Sequence, residues 1–177
     1  MNISIEQLIG RDDSALVWLG QAQIHVAVLD DWSALCRDAK AAGFELAIAS
    51  AHRSYERQLT IWNAKATGQR EVLDRQEQAI DISRLDNAEK LQVLLYWSAI
   101  PGCSRHHWGT DIDVYDRAAV EPAYQLQLTA AEASGVFAPL HEWLDDRIAS
   151  DRAYQFYRPY CGQSGVAAEP WHLIYRD

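Results

Sequence analysis

Hydrophobic residues recur at helical spacing in the first quarter of the chain. Trp32, Leu35 and Ala39 follow one another at intervals of three and four residues, behind Asp31 as a candidate N-cap. Gly43 stands where a glycine commonly ends a helix, because glycine adopts the left-handed conformation without a steric penalty. The pattern predicts a helix over about residues 31–42.

The next segments predict one strand and two capped helices. Residues 44–50 (FELAIAS) alternate weakly between apolar and polar and form a short run, which is typical of a strand. Ser54 can cap a helix that follows this strand. Asp86 and Glu89 have the spacing of a capping box, and residues 100–102 (IPG) end the helix that it opens.

A strand with two chemically different faces is predicted at residues 111–115 (DIDVY). Ile112 and Val114 share one face, which is typical of contact with a core, while Asp111 and Asp113 share the other. The remaining predicted elements are helices over 128–134 and 139–149 and strands over 153–157 and 171–176. Because helices come first and strands mostly later, we expect an α+β fold with a central antiparallel sheet and helices packed on it.

Length and composition favour one compact domain. A chain of 177 residues with 49% hydrophobic residues is long enough for a single core, and no repeat, low-complexity tract or linker divides it. We therefore expect a single domain over residues 1–177. The net charge of −9 provides no basic surface for nucleic acid or for an anionic membrane, so neither is expected as a partner.

The first residues and the cysteines bear on the cellular compartment. Residues 1–18 lack a basic start followed by an apolar core of the secretory type, and no apolar run reaches the roughly 18 residues of a membrane-spanning helix. We expect a soluble, cytoplasmic protein, with a periplasmic location open if an export signal has been removed. Cys36, Cys103 and Cys161 are odd in number and widely spaced, which favours reduced structural thiols over disulfides or a zinc knuckle.

Two distant segments concentrate residues that can bind a metal ion. His106 and Asp113 flank Gly109, which lets the chain turn before the strand, so both side chains can reach one ion. A third donor is then needed, and His172 in the segment EPWH is the best candidate. Glu169, three residues earlier, is a carboxylate that can act on metal-bound water rather than on the metal itself.

Local sequence leaves part of this arrangement open. Residues three apart share a helix face, but Pro170 biases Glu169 towards an extended backbone, so the pairing of Glu169 with His172 is undecided. The alternative is that Glu169 caps a helix or pairs with an arginine, and that His106, His107 and His172 are buried polar residues. Arg53 can hold a free carboxylate through two hydrogen bonds or form a surface ion pair, and its position after a predicted strand favours the first.

The order of these motifs resembles a known family. The chain carries SRHHWGTDID at residues 104–113 and EPWH at residues 169–172, which resemble the SxHxxGxAxD and ExxH signatures of the LAS zinc metallopeptidases. Within this group it is most similar to D-alanyl-D-alanine carboxypeptidases of the vancomycin-resistance type and to L,D-carboxypeptidases. Residues 50–58 (SAHRSYERQ) resemble the SGYRSYxxQ segment that lines the family's substrate cleft. The resemblance covers residues 44–176 as a catalytic core and leaves residues 1–43, expected to form a helical N-terminal part, unexplained.

The resemblance implies a ligand set and a role for individual residues. The implied ligands of one zinc ion, placed in a cleft, are His106, Asp113 and His172, and the implied general base is Glu169. The residues implied to hold the substrate's terminal carboxylate or the developing oxyanion are Arg53, Gln58 and Ser104, with Arg53 also catalytic.

Asp111 departs from the family pattern, which has a small alanine at this position. Its carboxylate can accept a hydrogen bond from His106 or His107 and so orient an imidazole beside the metal. Alternatively, its negative charge can raise the pKa of Asp113, which shares its face of the strand.

The resemblance implies an enzyme, a zinc carboxypeptidase that releases a terminal D-alanine from peptidoglycan stem peptides or muropeptides by attack of zinc-activated water. It leaves D,D- and L,D-specificity undecided, and the sequence indicates no oligomeric state. Two alternatives are a peptidoglycan endopeptidase of the endolysin type and a non-catalytic binding module stabilised by zinc. The presence of Glu169 argues against the second alternative, since a purely structural zinc site needs no base.

Overall fold

Helices and strands are interleaved along the chain in the computed structural model, which describes residues 4–162 and 165–176. The strands are β1 (Leu16–Leu19), β2 (Ala22–His25), β3 (Leu46–Ser50), β4 (Val72–Leu73), β5 (Ala79–Ile80), β6 (Asp111–Asp116), β7 (Phe156–Tyr157) and β8 (His172–Tyr175). The α-helices are α1 (Ile5–Leu8), α2 (Leu29–Ala41), α3 (Tyr55–Ala66), α4 (Asn87–Trp97), α5 (Ala130–Ser134) and α6 (Ala138–Ala149).

A four-stranded antiparallel sheet in the order β3-β6-β8-β7 forms the centre of the molecule. Its two central strands, β6 and β8, come from segments far apart in sequence. Because every pairing in the sheet is antiparallel and helices pack on it, the predicted single-domain α+β class is confirmed. The strands do not follow the helices as expected, however, since β1, β2 and β3 all precede α3.

Two small hairpins lie outside the central sheet, and the sequence pattern predicts neither of them. β1 pairs with β2 across a two-residue loop at 20–21, and β4 pairs with β5. Gly20 in the first loop has a φ of 61°, which glycine adopts without strain and which such a tight turn requires. The expectation of a helical N-terminal part over 1–43 is therefore wrong for residues 16–25, while α2 confirms the helix predicted near residues 31–42.

The two predicted caps begin the two helices that follow β3 and β5. Ser54 accepts a hydrogen bond from the backbone N–H of Arg57 at the start of α3. Asp86 and Glu89 form a reciprocal capping box at the start of α4. Both satisfy backbone groups that the helix itself leaves unpaired, which is why such short-range signals are reliable.

Alternation along the central strands directs one face of the sheet into the main core. Ile112 and Val114 of β6 and Leu173 of β8 are completely buried in one cluster with Leu35 of α2 and Leu144 of α6. Burying each such side chain contributes about 1.5–3 kcal/mol, so this layer anchors the two central strands. The opposite face of the same strands is left for polar side chains.

A smaller apolar cluster joins α3, α4 and the β4–β5 hairpin. Val72, Ile82 and Leu94 are buried in it, and Trp62 of α3 packs against them. This cluster holds the helical side of the molecule beside the polar face of the sheet. No helix among residues 4–162 and 165–176 has the length and apolarity that crossing a membrane requires.

Candidate metal centre

Asp113 and His172 lie directly opposite each other on the two central strands. They occupy the face of the sheet away from the main core, since Ile112 and Leu173, their neighbours in sequence, point into that core. Both are nevertheless buried, with 4% and 2% of their surface exposed. Asp113 Oδ1 lies 2.9 Å from His172 Nδ1, so strand pairing joins residues 59 positions apart.

His106 approaches the same point from a short 3₁₀ helix, Arg105–Trp108, which ends at Gly109. Gly109 has a φ of 69°, and a Cβ at this position would lie 2.9 Å from the backbone nitrogen of His25. Only glycine fits this turn without strain, which confirms the predicted role of Gly109. His106 Nδ1 lies 2.8 Å from the carbonyl oxygen of Ala51, which can only accept, so Nδ1 carries the proton and Nε2 keeps its lone pair.

The donor atoms of His106, Asp113 and His172 fit a zinc ion. One ligand atom of each residue lies within 4.8 Å of the other two. Two ligands at ~2.1 Å from a tetrahedral ion are about 3.4 Å apart. His106 Nε2 is 3.4 Å from Asp113 Oδ2, and His172 Nδ1 is 2.9 Å from Asp113 Oδ1. Two imidazoles and one carboxylate are also a donor set that leaves a fourth position open in catalytic zinc sites.

Asp111 holds the other side of the His172 ring. Its side chain is wholly buried, and its Oδ1 lies 3.1 Å from His172 Nε2. The same oxygen accepts a hydrogen bond from Arg105 Nε at 2.9 Å. A proton on His172 Nε2 leaves Nδ1 free to bind a metal, so Asp111 selects the tautomer that the site needs.

The sequence predicts that Asp111 pairs with His106 or His107. This prediction is wrong, because Asp111 pairs with His172. His106 gives its N–H to a backbone carbonyl. His107 uses both ring nitrogens elsewhere, because Nδ1 donates to the carbonyl oxygen of Arg53 (2.6 Å) and Nε2 accepts from a backbone N–H (3.0 Å). His172 is the metal-ligand candidate whose second nitrogen faces Asp111.

The charges around the cluster favour a cation between His172 and Asp113. Burial lowers the pKa of His106 to about 3, which keeps this imidazole neutral and able to bind a metal. Burial also opposes the charged form of His172, but the carboxylates of Asp111 and Asp113 outweigh it and raise its pKa to about 9. For Asp113, burial opposes ionisation, yet His106, His172 and Arg53 lower its pKa to about 2. The net shift is thus downward, and Asp111 is not among its main causes.

Glu169 stands beside the donor atoms without being one of them. A turn closed by the hydrogen bond from His172 N–H to the carbonyl oxygen of Glu169 (3.0 Å) places Glu169 Oε2 3.8 Å from His172 Nδ1. The pairing that Pro170 leaves undecided in the sequence is therefore made by a turn rather than by a helix. Burial, with repulsion from Asp113, raises the pKa of Glu169 to about 7, against the opposing effects of His172 and Arg53. Such a carboxyl group can both accept and donate a proton near neutral pH.

Arg53 and Gln58 form a supported pair at the start of α3. Arg53 Nη1 donates to Gln58 Oε1 (3.1 Å), and Gln58 Nε2 donates to the carbonyl oxygen of Ala99 (2.7 Å). Because Gln58 is 1% exposed, its amide is used inside the protein and holds the guanidinium in place. Arg53 Nη2 lies 3.8 Å from Asp113 Oδ2, which puts the guanidinium beside the ligand set.

A pocket of about 760 Å³ opens beside the cluster, and we call it the central pocket. His106, Asp113, Glu169 and Arg53 lie on its wall. Ser104 is 4% exposed and is not one of the lining residues, so the structure does not bring it to the pocket with the others. The substrate-holding role expected for Ser104 stays a prediction, as does the use of the pocket as a substrate cleft.

Three cationic side chains of this pocket escape prediction from the sequence: Arg57, Lys65 and Arg70. Lys65 lines the pocket together with Arg57 and Ile61, which precede it on α3. These three residues follow one another at intervals of four, the spacing at which side chains share a helix face. That spacing is the signal that could identify them from sequence once α3 is placed.

Most of the chain matches one known protein family. The sequence model of VanY, D-alanyl-D-alanine carboxypeptidase, matches residues 21–177. The chain belongs to this family. The predicted resemblance is thus confirmed, and so is the prediction of an enzyme of the peptidase class. The match begins earlier than residue 44, so β2 and α2 are part of the family-like region.

Solved peptidase structures have the fold of this VanY-family chain. A variant of the vancomycin-resistance D,D-pentapeptidase VanY in complex with Zn(II) has a TM-score of 0.63 at 22% identity, covering 90% of this chain and 77% of that one. VanYB in complex with D-alanine-D-alanine has a TM-score of 0.65 at 22% identity, covering 93% and 78%. The LD-carboxypeptidase LdcB has a TM-score of 0.63 at 23% identity, covering 92% and 68%.

Two uncharacterised proteins of Haemophilus influenzae are similar to this VanY-family chain in sequence. One is 35% identical over 105 residues, which are 56% of this chain and 72% of the relative. The other is 33% identical over 81 residues, which are 43% of this chain and 60% of the relative. The family indicates the class of reaction.

Proposed function

We propose that this protein is a zinc carboxypeptidase that releases a terminal D-alanine from peptidoglycan-derived peptides. The observation that carries the proposal is that Glu169 lies on the wall of the central pocket beside three converging metal donors, of which His106 and Asp113 line the same pocket. Membership of the VanY family supports this reaction class. The complexes of similar proteins with Zn(II) and with D-alanine-D-alanine support the metal and the substrate.

The chemistry divides between the ligand set and Glu169. A zinc ion held by His106, Asp113 and His172 supplies a Lewis acid and an activated water when bound. Glu169 accepts the proton of the attacking water and passes it to the leaving amine, a role for which its position beside the metal donors is suited. Glu169 is not one of the three residues whose donor atoms converge, and its Oε2 lies 3.8 Å from His172 Nδ1.

Arg53 recognises the end of the substrate. Its guanidinium lies on the pocket wall next to Asp113 and is held from behind by Gln58. A planar guanidinium held in one orientation can bind a carboxylate through two hydrogen bonds. An enzyme that removes a C-terminal residue needs such a group, which favours carboxypeptidase over endopeptidase activity.

Replacement of Glu169 tests the mechanism. The variant Glu169→Gln is expected to bind zinc with unchanged stoichiometry and to lose about 10²–10⁴-fold in kcat, since general acid–base catalysis contributes that much. Release of D-alanine is measured by chromatography and zinc by metal analysis. Glu71→Gln is the matched control, because Glu71 is an exposed carboxylate on the wall of the same pocket. Full activity of Glu169→Gln contradicts the mechanism.

Metal content tests the ligand set separately. His106→Ala and His172→Ala are each expected to lose stoichiometric zinc, because either change leaves two donors. Stoichiometric zinc in both variants contradicts the assignment.

A tetrapeptide and a pentapeptide ending in D-alanine, assayed side by side, distinguish L,D- from D,D-specificity. Release of internal fragments from intact peptidoglycan identifies an endopeptidase instead.

A further inference from the structure

One face of α3 lines the central pocket with cationic side chains. Arg57, Ile61 and Lys65 follow one another at four-residue spacing and all lie on the pocket wall. Arg53 precedes this helix and Arg70 follows it, and both also line the pocket. The helix therefore presents positive charge on either side of an apolar residue.

Lys65, like Arg57 and Arg70, forms no salt bridge with a carboxylate in the described part of the chain, but unlike those two it is partly buried. Its ammonium group donates a hydrogen bond to Ser98 Oγ at 2.6 Å, and none of the salt bridges between residues 4–162 and 165–176 includes it. A half-buried ammonium without a counter-ion is costly. Burial, with repulsion from Arg70 and Arg53, lowers the pKa of Lys65 to about 8.

Three carboxylates that line the pocket, those of Glu71, Glu77 and Glu169, form no salt bridge with Lys65 in the described part of the chain. Glu169 is the carboxylate that acts on Lys65, and it is the proposed general base beside the metal donors. Glu77 also lines the pocket, but its carboxylate accepts a hydrogen bond from the backbone N–H of Ala130. Neighbouring cations that repel one another on a pocket wall are stabilised when an anion binds between them.

We propose that Lys65, together with Arg70, forms a second carboxylate subsite, which binds an acidic group of the peptide other than its C-terminal carboxylate. This inference rests on the proposed function, in which Arg53 holds the terminal carboxylate. Arg53 is supported by Gln58, whereas Lys65 is supported by Ser98, so the two cations have separate anchors in the pocket. The substrate class is thus narrowed to peptides that carry two free carboxylates.

Two synthetic peptides that differ in one carboxylate test the subsite. Both end in D-alanine, and the residue before it carries a side-chain carboxylate that is free in one peptide and amidated in the other. The wild-type protein is expected to show a kcat/KM about tenfold higher for the free acid, the discrimination typical of one well-made charged contact. Lys65→Met is expected to remove most of this preference, and Lys65→Arg to retain it. Lys40→Met, at an exposed position of α2 outside the pocket, is the matched control.

Each outcome separates the subsite from the proposed function. If the wild-type protein cleaves both peptides equally well, or if Lys65→Met lowers both values by the same factor, the subsite is wrong and the carboxypeptidase function stands. If neither peptide releases D-alanine, the proposed function itself fails. If Lys65→Met melts at a lower temperature than the wild type, the two peptides are compared again with Arg70→Gln, a change at an exposed position. An undiminished preference of Arg70→Gln for the free acid also contradicts the subsite.

Discussion

Replacing Asp111 by asparagine is expected to weaken zinc binding about tenfold while leaving the fold intact. Asp111 Oδ1 accepts from both His172 Nε2 and Arg105 Nε, and Thr110 Oγ1 donates to Oδ2. An asparagine keeps the first oxygen, and its amide can donate to the hydroxyl of Thr110, which turns to accept. What is lost is the charge. A hydrogen bond to a charged group contributes about 1.5–3 kcal/mol against about 0.5–1.5 for a neutral one, and the difference of about 1–1.5 kcal/mol is close to tenfold in affinity.

Competition with a chromophoric chelator measures the zinc affinity, and thermal melting of the metal-free protein checks the fold. Asp116→Asn is the matched control, because Asp116 is a buried carboxylate at the far end of the same strand and accepts hydrogen bonds from the backbone of Glu45 and Ala118. Its zinc affinity is expected to equal that of the wild type. Asp111→Ala removes the hydrogen bond entirely and is expected to lose up to about 100-fold, the upper end for groups that orient a metal ligand. An affinity of Asp111→Asn and Asp111→Ala within twofold of the wild type refutes the reasoning.

Two further predictions concern stability. Gly109→Ala is expected to lower the free energy of unfolding by at least about 1 kcal/mol more than Gly20→Ala. Both glycines have a positive φ, but only at Gly109 does the new Cβ lie against backbone atoms. Urea unfolding measures both losses, and equal losses contradict this prediction. Burial and the charge of Arg158 lower the pKa of His141 to about 4 in the folded protein. Between pH ~6.5 and about 4 the unfolded chain therefore binds more protons than the folded protein does. The free energy of unfolding is expected to fall over this range as the pH drops, by up to about 1.4 kcal/mol per pH unit. His141→Gln is expected to flatten this slope in urea unfolding at pH 4.5 and 7, and an unchanged slope argues against it.

Sequence predicts the elements whose signals are local. The caps at Ser54 and Asp86 lie where expected, because a side chain that satisfies a helix terminus acts within three residues of it. The first hairpin escapes prediction because Trp18 of β1 is 69% exposed, so a large apolar residue occupies the solvent face and hides the alternation of Val17 and Leu19. A strand that is apolar on both faces gives no periodic signal.

The sequence predicts the site residues that lie in a family motif. It does not predict the contacts that depend on how the strands pair. The resemblance names the donors His106, Asp113 and His172, and the structure brings all three together. The contact between Asp111 and His172 depends on how β6 and β8 pair, which no local pattern encodes. The turn that aims Glu169 at the donors likewise depends on where β8 begins.

The direct opposition of Asp113 and His172 has a consequence for folding fidelity. Side chains of a strand alternate between its faces, so a slip of one residue between β6 and β8 would turn one of the two donors into the main core and separate the pair. A chain with misaligned strands could not assemble the donor set. A zinc ion bound at the proposed site would therefore cross-link two segments distant in sequence and would stabilise only the correctly aligned sheet, by RT ln(1 + [Zn]/Kd).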